Sequence, residues 1–292
     1  MTGTFSDSWR LTKTSFRLIR EDRALLIFPL VGGLSILGVI ALLILGEFWL
    51  FAPGLPARGP SGLVDAAAVV LFLVTYLAMV FLSVYCTAAL VGAATLKLSG
   101  QQPSAADGWR IARARIGRLV VWALIAATVA LVIQAIASRT RGVGGLVIRL
   151  VGGVAWGVAT YFIVPVILYE DLRPWPALKR SGHLFTSTLG RTLVSNLALG
   201  LLLGLGIVVA VIVAFIGILL AVGLVAGGSL VLGLILIGVG LAIGVTVALV
   251  GAAAEGILQA ALYRYATTGQ IDPGLFPPGY EGASPLPSAP AP

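Results

Sequence analysis

Apolar residues run along this chain in stretches longer than a soluble helix or strand needs. They lie near 24–50, 65–97, 118–138, 146–169, 190–221 and 228–266, each at or above the roughly 20 residues that carry a helix across hydrocarbon. None alternates with period two, so barrel strands fit poorly. Backbone groups that cannot stay unpaired in lipid must then be satisfied within helices. The second, fifth and sixth runs exceed the hydrocarbon thickness and should tilt, protrude into water or break at glycines. Gly223, Gly227 and Gly228 suit a tight hairpin between the last two. The expected fold is all-α, a polytopic bundle of six transmembrane helices.

Three polar segments between the runs share a plan. Asp7-Ser8-Trp9-Arg10-Leu11 aligns with Asp107-Gly108-Trp109-Arg110-Ile111, each opening a short amphipathic helix that leads into a span. In the first, Phe5, Trp9, Phe16 and Ile19 recur at helical spacing beside a basic stripe of Arg10, Lys13, Arg17 and Arg20. An apolar stripe flanked by a basic one is what a helix lying in the membrane interface requires. The third segment opens Pro174-Trp175-Pro176, with prolines tolerable in a first helical turn. It is expected to place Trp175, Leu178, Ser181 and Phe185 on one face, with Lys179, Arg180 and His183 beside it. The pattern predicts three pseudo-repeats, each an interfacial helix followed by a two-span hairpin. Residues 1–23 form the first interfacial helix, 24–271 the six-span domain, and 272–292 a Pro-rich tail without packed structure.

Composition moves the solvent from water to lipid. Of 292 residues, 59% are apolar and 10% charged, against a charged share of about a quarter in soluble domains. A net charge of +8 in a soluble domain would suggest nucleic acid. Here the cations sit beside apolar runs, which points to anionic lipid headgroups and away from nucleic acid. Of 19 Lys and Arg residues, fifteen fall on one side of the six-span layout. They are Arg10, Lys13, Arg17, Arg20 and Arg23; Lys97, Arg110, Arg113, Arg115 and Arg118; Arg173, Lys179, Arg180 and Arg191; and Arg264. Only Arg58, Arg139, Arg141 and Arg149 lie opposite. Positive charge gathers on the cytoplasmic side, so the expected location is the cytoplasmic membrane of a prokaryote, multi-pass, with both termini cytoplasmic. Some 23 polar and amphipathic residues precede the first run, so that span is expected to stay as an uncleaved anchor.

Candidate chemistry is sparse. A lone cysteine, Cys86, excludes an internal disulfide, and with a single histidine, His183, imidazole-based metal or relay chemistry has little material. No phosphate loop, nucleophile elbow or zinc-binding pair occurs, and no cofactor is expected. Glu255, Gln259 and Tyr263 share a face of the last run, with Ser195 and Asn196 at comparable depth on the fifth. They either line a polar cleft or hold helices together. Arg149 has Glu47 and Asp65 as candidate partners. Glu170 and Asp171 form an adjacent acidic pair that either caps and pairs locally or serves acid–base or divalent-ion chemistry. Gly200 with Gly204, and Gly240 with Gly244, have the small-residue spacing that permits close helix approach, within one chain or between copies.

Four segments resemble a family of uncharacterised six-span membrane proteins of bacteria and archaea. They are SWRLTKTSFRLIREDRALLIFPL at 8–30, GWRIARARIGRLVVWALIAATV at 108–129, VPVILYEDLRPWPALKRSGHLF at 164–185 and ALYRYATTG at 261–269. The third is also similar to the membrane domain that precedes some glycerophosphodiester phosphodiesterases. The resemblance implies fold and location and no activity. Pro165, Glu170, Ala177, Leu178, Lys179, Arg180 and Ser181 match the shared pattern. A proline inside the fourth span should kink it and free a carbonyl, making the stretch from Pro165 to Ser181, with Glu170 and Asp171, a shared structural elbow.

The leading functional expectation is a non-enzymatic protein that organises membrane or partner proteins. Arg10, Lys13, Arg17, Arg20, Arg110, Arg113, Lys179 and Arg180 would hold anionic headgroups, with other membrane proteins or a second copy as further partners. A carrier for a lipid or small amphiphile, using Glu255, Gln259, Asn196 and the broken fourth span, is the second reading. A lipid-phosphate enzyme built on Glu170 and Asp171 is the third.

Overall fold

The structure, a computed structural model, describes residues 23–51, 61–140, 143–189, 223 and 230–268. Among these residues every regular element is a helix. A short 3-10 turn at Arg23–Leu26 leads into α1 (Ile27–Phe51), followed by α2 (Ser61–Leu98), α3 (Ala105–Ala114) and α4 (Ile116–Arg139). Then come α5 (Val143–Thr160), α6 (Ile163–Tyr169), α7 (Pro174–Leu189) and α8 (Leu230–Thr268). Among the described residues five stretches are long and apolar enough to cross a membrane: Ile27–Phe48, Ala66–Leu98, Ile116–Arg139, Val143–Tyr169 and Gly244–Thr268. The expected run near 190–221 lies outside the described residues, as does the first interfacial segment with Arg10, Lys13, Arg17 and Arg20.

Two compact units divide the chain, residues 27–185 and residues 1–26 with 186–292. In the first, α1 and α2 run antiparallel, with Gly32 facing Cys86 and Gly46 facing Leu71. The small Gly32 lets the Cys86 side chain settle against the α1 backbone, and Cys86 is buried there as a packing residue. Helix α2 is unbroken despite its 38 residues, so its surplus length is not relieved at a glycine. At 1.5 Å per residue it spans about 57 Å, nearly twice the hydrocarbon thickness. Helices α4 and α5 form a second hairpin, closed where Gly145 lies on the Ala137 carbonyl and held by Trp122 stacked on Trp156 at 5.7 Å between ring centroids.

Burial within this unit is concentrated at one end of the helices. Phe28 on α1, Ala88 through Val91 on α2, Leu119 and Trp122 on α4, and Phe162 through Leu168 are all buried. The other end carries large apolar side chains in the open: Leu37, Leu42 and Leu45 on α1, Val69 and Val74 on α2, Val151 and Val154 on α5. Each such side chain would cost about 1.5–3 kcal/mol if left in water, and a continuous apolar surface of this kind is foreign to soluble monomers. Hydrocarbon is the solvent that makes these helices stable. The chain is therefore a multi-pass membrane protein.

In the second unit the Arg23–Leu26 turn packs on α8, a single helix of 39 residues. Along it Glu255 is exposed, Gln259 half-buried and Tyr263 buried.

Candidate functional site

The polar chemistry of the first unit gathers where α6 packs on α2 and α4 and where α7 reaches back to residues 162 and 170, and the residues of the shared pattern explain why. A proline ring clashes with the carbonyl four residues back and offers no N–H. Pro165 accordingly cannot continue α5. The helix stops at Thr160, two turn residues follow, and Pro165 sits in the first turn of a new helix, α6, where its missing donor costs nothing. The break thus takes the form of two helices, and a donor at the break finds its acceptor on a third. The buried N–H of Phe162 leaves the helical ladder and donates to the hydroxyl of Ser181 at 3.0 Å. Phe162 and Ser181 are both wholly buried.

The second fastening is ionic. Arg180 Nε donates to Glu170 at 2.9 and 3.3 Å, with side chains only 20% and 13% exposed, so the charges meet in a partly desolvated setting. The third ties the elbow to the start of α4. Arg115 and Arg118 both bring a terminal guanidinium nitrogen to within 2.5 Å of Asp171 Oδ1. Arg115 Nε also donates to the Leu168 carbonyl at 3.5 Å. The hydrogen bond from Arg118, helped by the positive charges of Arg115 and Arg118, holds the Asp171 carboxyl below its ordinary value. Asp171 has φ of 54°, a left-handed conformation that aspartate tolerates better than most side chains and that turns the chain from α6 toward α7. Glu170 and Asp171 therefore face different partners, and the adjacent carboxylates engage guanidinium groups separately.

Helix α7 presents Pro174, Ala177, Ser181 and Leu184 inward. This corrects the expected face: Leu178 and Phe185 are half-buried beside it, but Trp175 points away and is 61% exposed, in line with Lys179 and His183. Sequence periodicity missed it because Ala177 is small and Ser181 polar, so the true inner face looked less apolar than its neighbour.

Helix α3 is fixed by equally specific means. Ser104 and Asp107 form a reciprocal capping box, and the Ser104 hydrogen bonds hold the Asp107 carboxyl below its ordinary value, aided by Arg110 at 2.7 Å. Gly108 meets α2 so closely that a Cβ would lie 2.5 Å from the Ala89 carbonyl and 2.6 Å from the Phe28 ring. That approach seats Trp109 between Phe28 and Tyr85, at 5.2 and 5.4 Å between ring centroids. Arg110 and Arg113 are left on the outer face.

Of the predicted headgroup contacts within the description, Arg110 binds Asp107 and remains 77% exposed, while Arg113 and Lys179 make no ion pair among the described residues. Arg180 is engaged by Glu170. The expected pairing of Arg149 is not formed with Glu47; Arg149 is exposed on α5, and the Asp65 side chain lies outside the description. Asn196 is likewise outside, so the cleft expected between it, Glu255 and Gln259 is not described. Among the described residues no group of three or more His, Cys, Asp or Glu residues is placed to hold a metal ion.

A family of unknown function (DUF6159) matches residues 65–273, and the chain belongs to that family. The match runs from α2 through the elbow to the end of α8. No curated protein and no solved structure matches, and the looser likeness to the phosphodiesterase membrane domain is not shown.

Proposed function

We propose that the protein is a non-enzymatic organiser of the cytoplasmic membrane, spanning it six times as three helix-plus-hairpin units and holding anionic lipid at the inner-leaflet edge with a basic collar. The observation that carries this reading is the division of labour on α3 and α7. Each helix docks through small or apolar residues, Gly108 and Ala112 on one, Ala177 and Leu184 on the other, and leaves Arg110 and Arg113 or Lys179 outside. Arg113 and Lys179 serve no ion pair among the described residues, which leaves their charge for a ligand. Trp175, exposed beside Lys179, is the residue type that settles at headgroup level. The excess of cations on one side of the proposed layout supports the orientation.

The test is lipid retention by the full chain in micelles doped with phosphatidylglycerol or phosphatidylcholine, read by native mass spectrometry. Replacing Arg110, Arg113 and Lys179 together by Gln should weaken phosphatidylglycerol binding by about a hundredfold, at about 1 kcal/mol per cation removed near the surface. Phosphatidylcholine retention should not change. Equal retention of phosphatidylglycerol by the variant and the parent would refute the collar.

A further inference from the structure

We propose that Arg115 and Arg118 form a binding site for the phosphate of an anionic phospholipid, and that Asp171 is a built-in competitor that keeps this site occupied until lipid displaces it. The inference rests on the collar reading and names a regulated site within it.

Two guanidinium groups, one turn apart at the α3–α4 joint, converge on one carboxylate oxygen, each at 2.5 Å. This is the donor arrangement that binds a phosphodiester, whose two unshared oxygens carry one negative charge. Asp171 therefore shows what the site accepts: a single anionic oxygen held from two sides. Its occupancy is open to exchange. The Asp171 side chain is 62% exposed and the two arginines about a third exposed, at 35% and 31%. An incoming anion reaches the site without opening the core, and an exposed pair of this kind resists displacement weakly.

The surroundings fit a lipid better than a free ion. Tyr169, within the elbow and next to Glu170, is 40% exposed, and Ile116, between the two arginines, is 43% exposed. An exposed aromatic ring and an exposed aliphatic side chain beside a pair of cations mark a boundary between hydrocarbon and headgroups. Displacing Asp171 also leaves the fold intact, because Ser181 still accepts from Phe162 and Glu170 still holds Arg180. The competitor thus tunes lipid binding without controlling whether the elbow forms.

The experiment uses the full chain in the same micelles. Asp171→Asn keeps a residue that tolerates left-handed backbone and removes the competing charge, and should raise phosphatidylglycerol retention by about threefold or more. Adding Arg115→Gln and Arg118→Gln should abolish the gain. Should that triple variant fail to fold, Arg115→Lys with Arg118→Lys in the Asp171→Asn background retains the charge and should still lose most of the gain. Absence of a gain in Asp171→Asn, an equal gain for phosphatidylcholine, or a gain that survives loss of both guanidinium groups would overturn the proposal. So would displacement of the retained lipid by inorganic phosphate at matched concentration, which would assign the site to a soluble anion. The outer-face variant at Arg110, Arg113 and Lys179 separates the two ideas. If it loses lipid while Asp171→Asn gains none, only this inference fails; if it loses none, the collar fails by itself.

Discussion

Removing the Ser181 hydroxyl should open a hole in the hydrogen bonding of the broken span, and its cost follows from burial. Phe162 and Ser181 are both fully buried, and the Phe162 N–H donates to the Ser181 hydroxyl at 3.0 Å. Ser181→Ala deletes this acceptor from a donor that water does not reach. A neutral hydrogen bond contributes about 1 kcal/mol net, and an orphaned buried donor costs about 1–3 kcal/mol, so destabilisation of about 2 kcal/mol is expected. That corresponds to a change of about thirtyfold in an opening equilibrium. Amide exchange of Phe162 in reconstituted protein, read by mass spectrometry, should accelerate by about this factor, and the thermal transition should fall.

The control is Pro165. Replacing it by Ala restores the N–H and removes the ring clash, so α5 and α6 gain the option of joining into one ladder in which Phe162 donates to its own helix. In that background Ser181→Ala should cost much less, giving a coupling of about 1–2 kcal/mol between two residues sixteen positions apart in the chain. Strictly additive costs, or a Ser181→Ala cost within a few tenths of a kcal/mol, would show that the hydroxyl is incidental and that the break has another cause.

Three further outcomes follow from the same packing. Gly108→Ala should push α3 off α2, at about 1–3 kcal/mol, because the new Cβ meets a carbonyl and a buried ring, whereas Gly117→Ala, with nothing within 4 Å, should be neutral or stabilising; thermal transitions of the two variants compare them. Glu170→Gln should destabilise by about 1–3 kcal/mol by leaving Arg180 partly buried without its counter-charge, and Glu170→Gln with Arg180→Gln should cost less than the two single changes added together, in the same assay. The Asp171 contact should respond to acid alone: its folded carboxyl titrates below the ordinary 3.8, so its contribution is complete above that value and is lost as pH falls through the lower folded value. Proteolysis at 171–173 should therefore be flat through neutral pH and rise only in strong acid.

The spans were the most legible part of the sequence, because lipid imposes one rule on every residue of a long run. Helices α1, α2, α4 and α8 lie over the apolar runs read near 24–50, 65–97, 118–138 and 228–266. The elbow was only half legible. Pro165 announces a broken helix through its own covalent geometry, and the pattern from Glu170 to Ser181 marks a place where chemistry concentrates. The partner of each residue was not readable, since pairings such as Arg115 and Arg118 with Asp171 join residues more than fifty positions apart. Arg115 and Arg118 drew notice only as two cations among nineteen, and nothing in local spacing separates a cation that meets a carboxylate from one left outside. Gly108 was visible as part of the repeated motif, but its function, letting one backbone approach another, depends on α2 and could not be seen in α3 alone.

The elbow also ties α7 to α5 and α6, and that bears on how the proposed basic collar would be held in position. A span interrupted by proline persists only where another element supplies partners for the freed backbone, and here the supplier is a helix rather than a loop. Moving α7 outward would expose the Phe162 donor and separate Arg180 from Glu170 in one step. Helix α7 is therefore tied to the end of α5 and α6, and Trp175 and Lys179 on its outer face move only with it. One alanine inserted after Leu178 tests this, since it turns Arg180, Ser181 and Leu184 by about 100° and shifts them by about 1.5 Å relative to Ala177. Both fastenings should fail together, lowering the thermal transition by more than Ser181→Ala does and accelerating exchange at Phe162. An insertion that costs less than the single serine change would mean that α7 finds its place by other contacts, and the cations it carries would then not be held by the elbow.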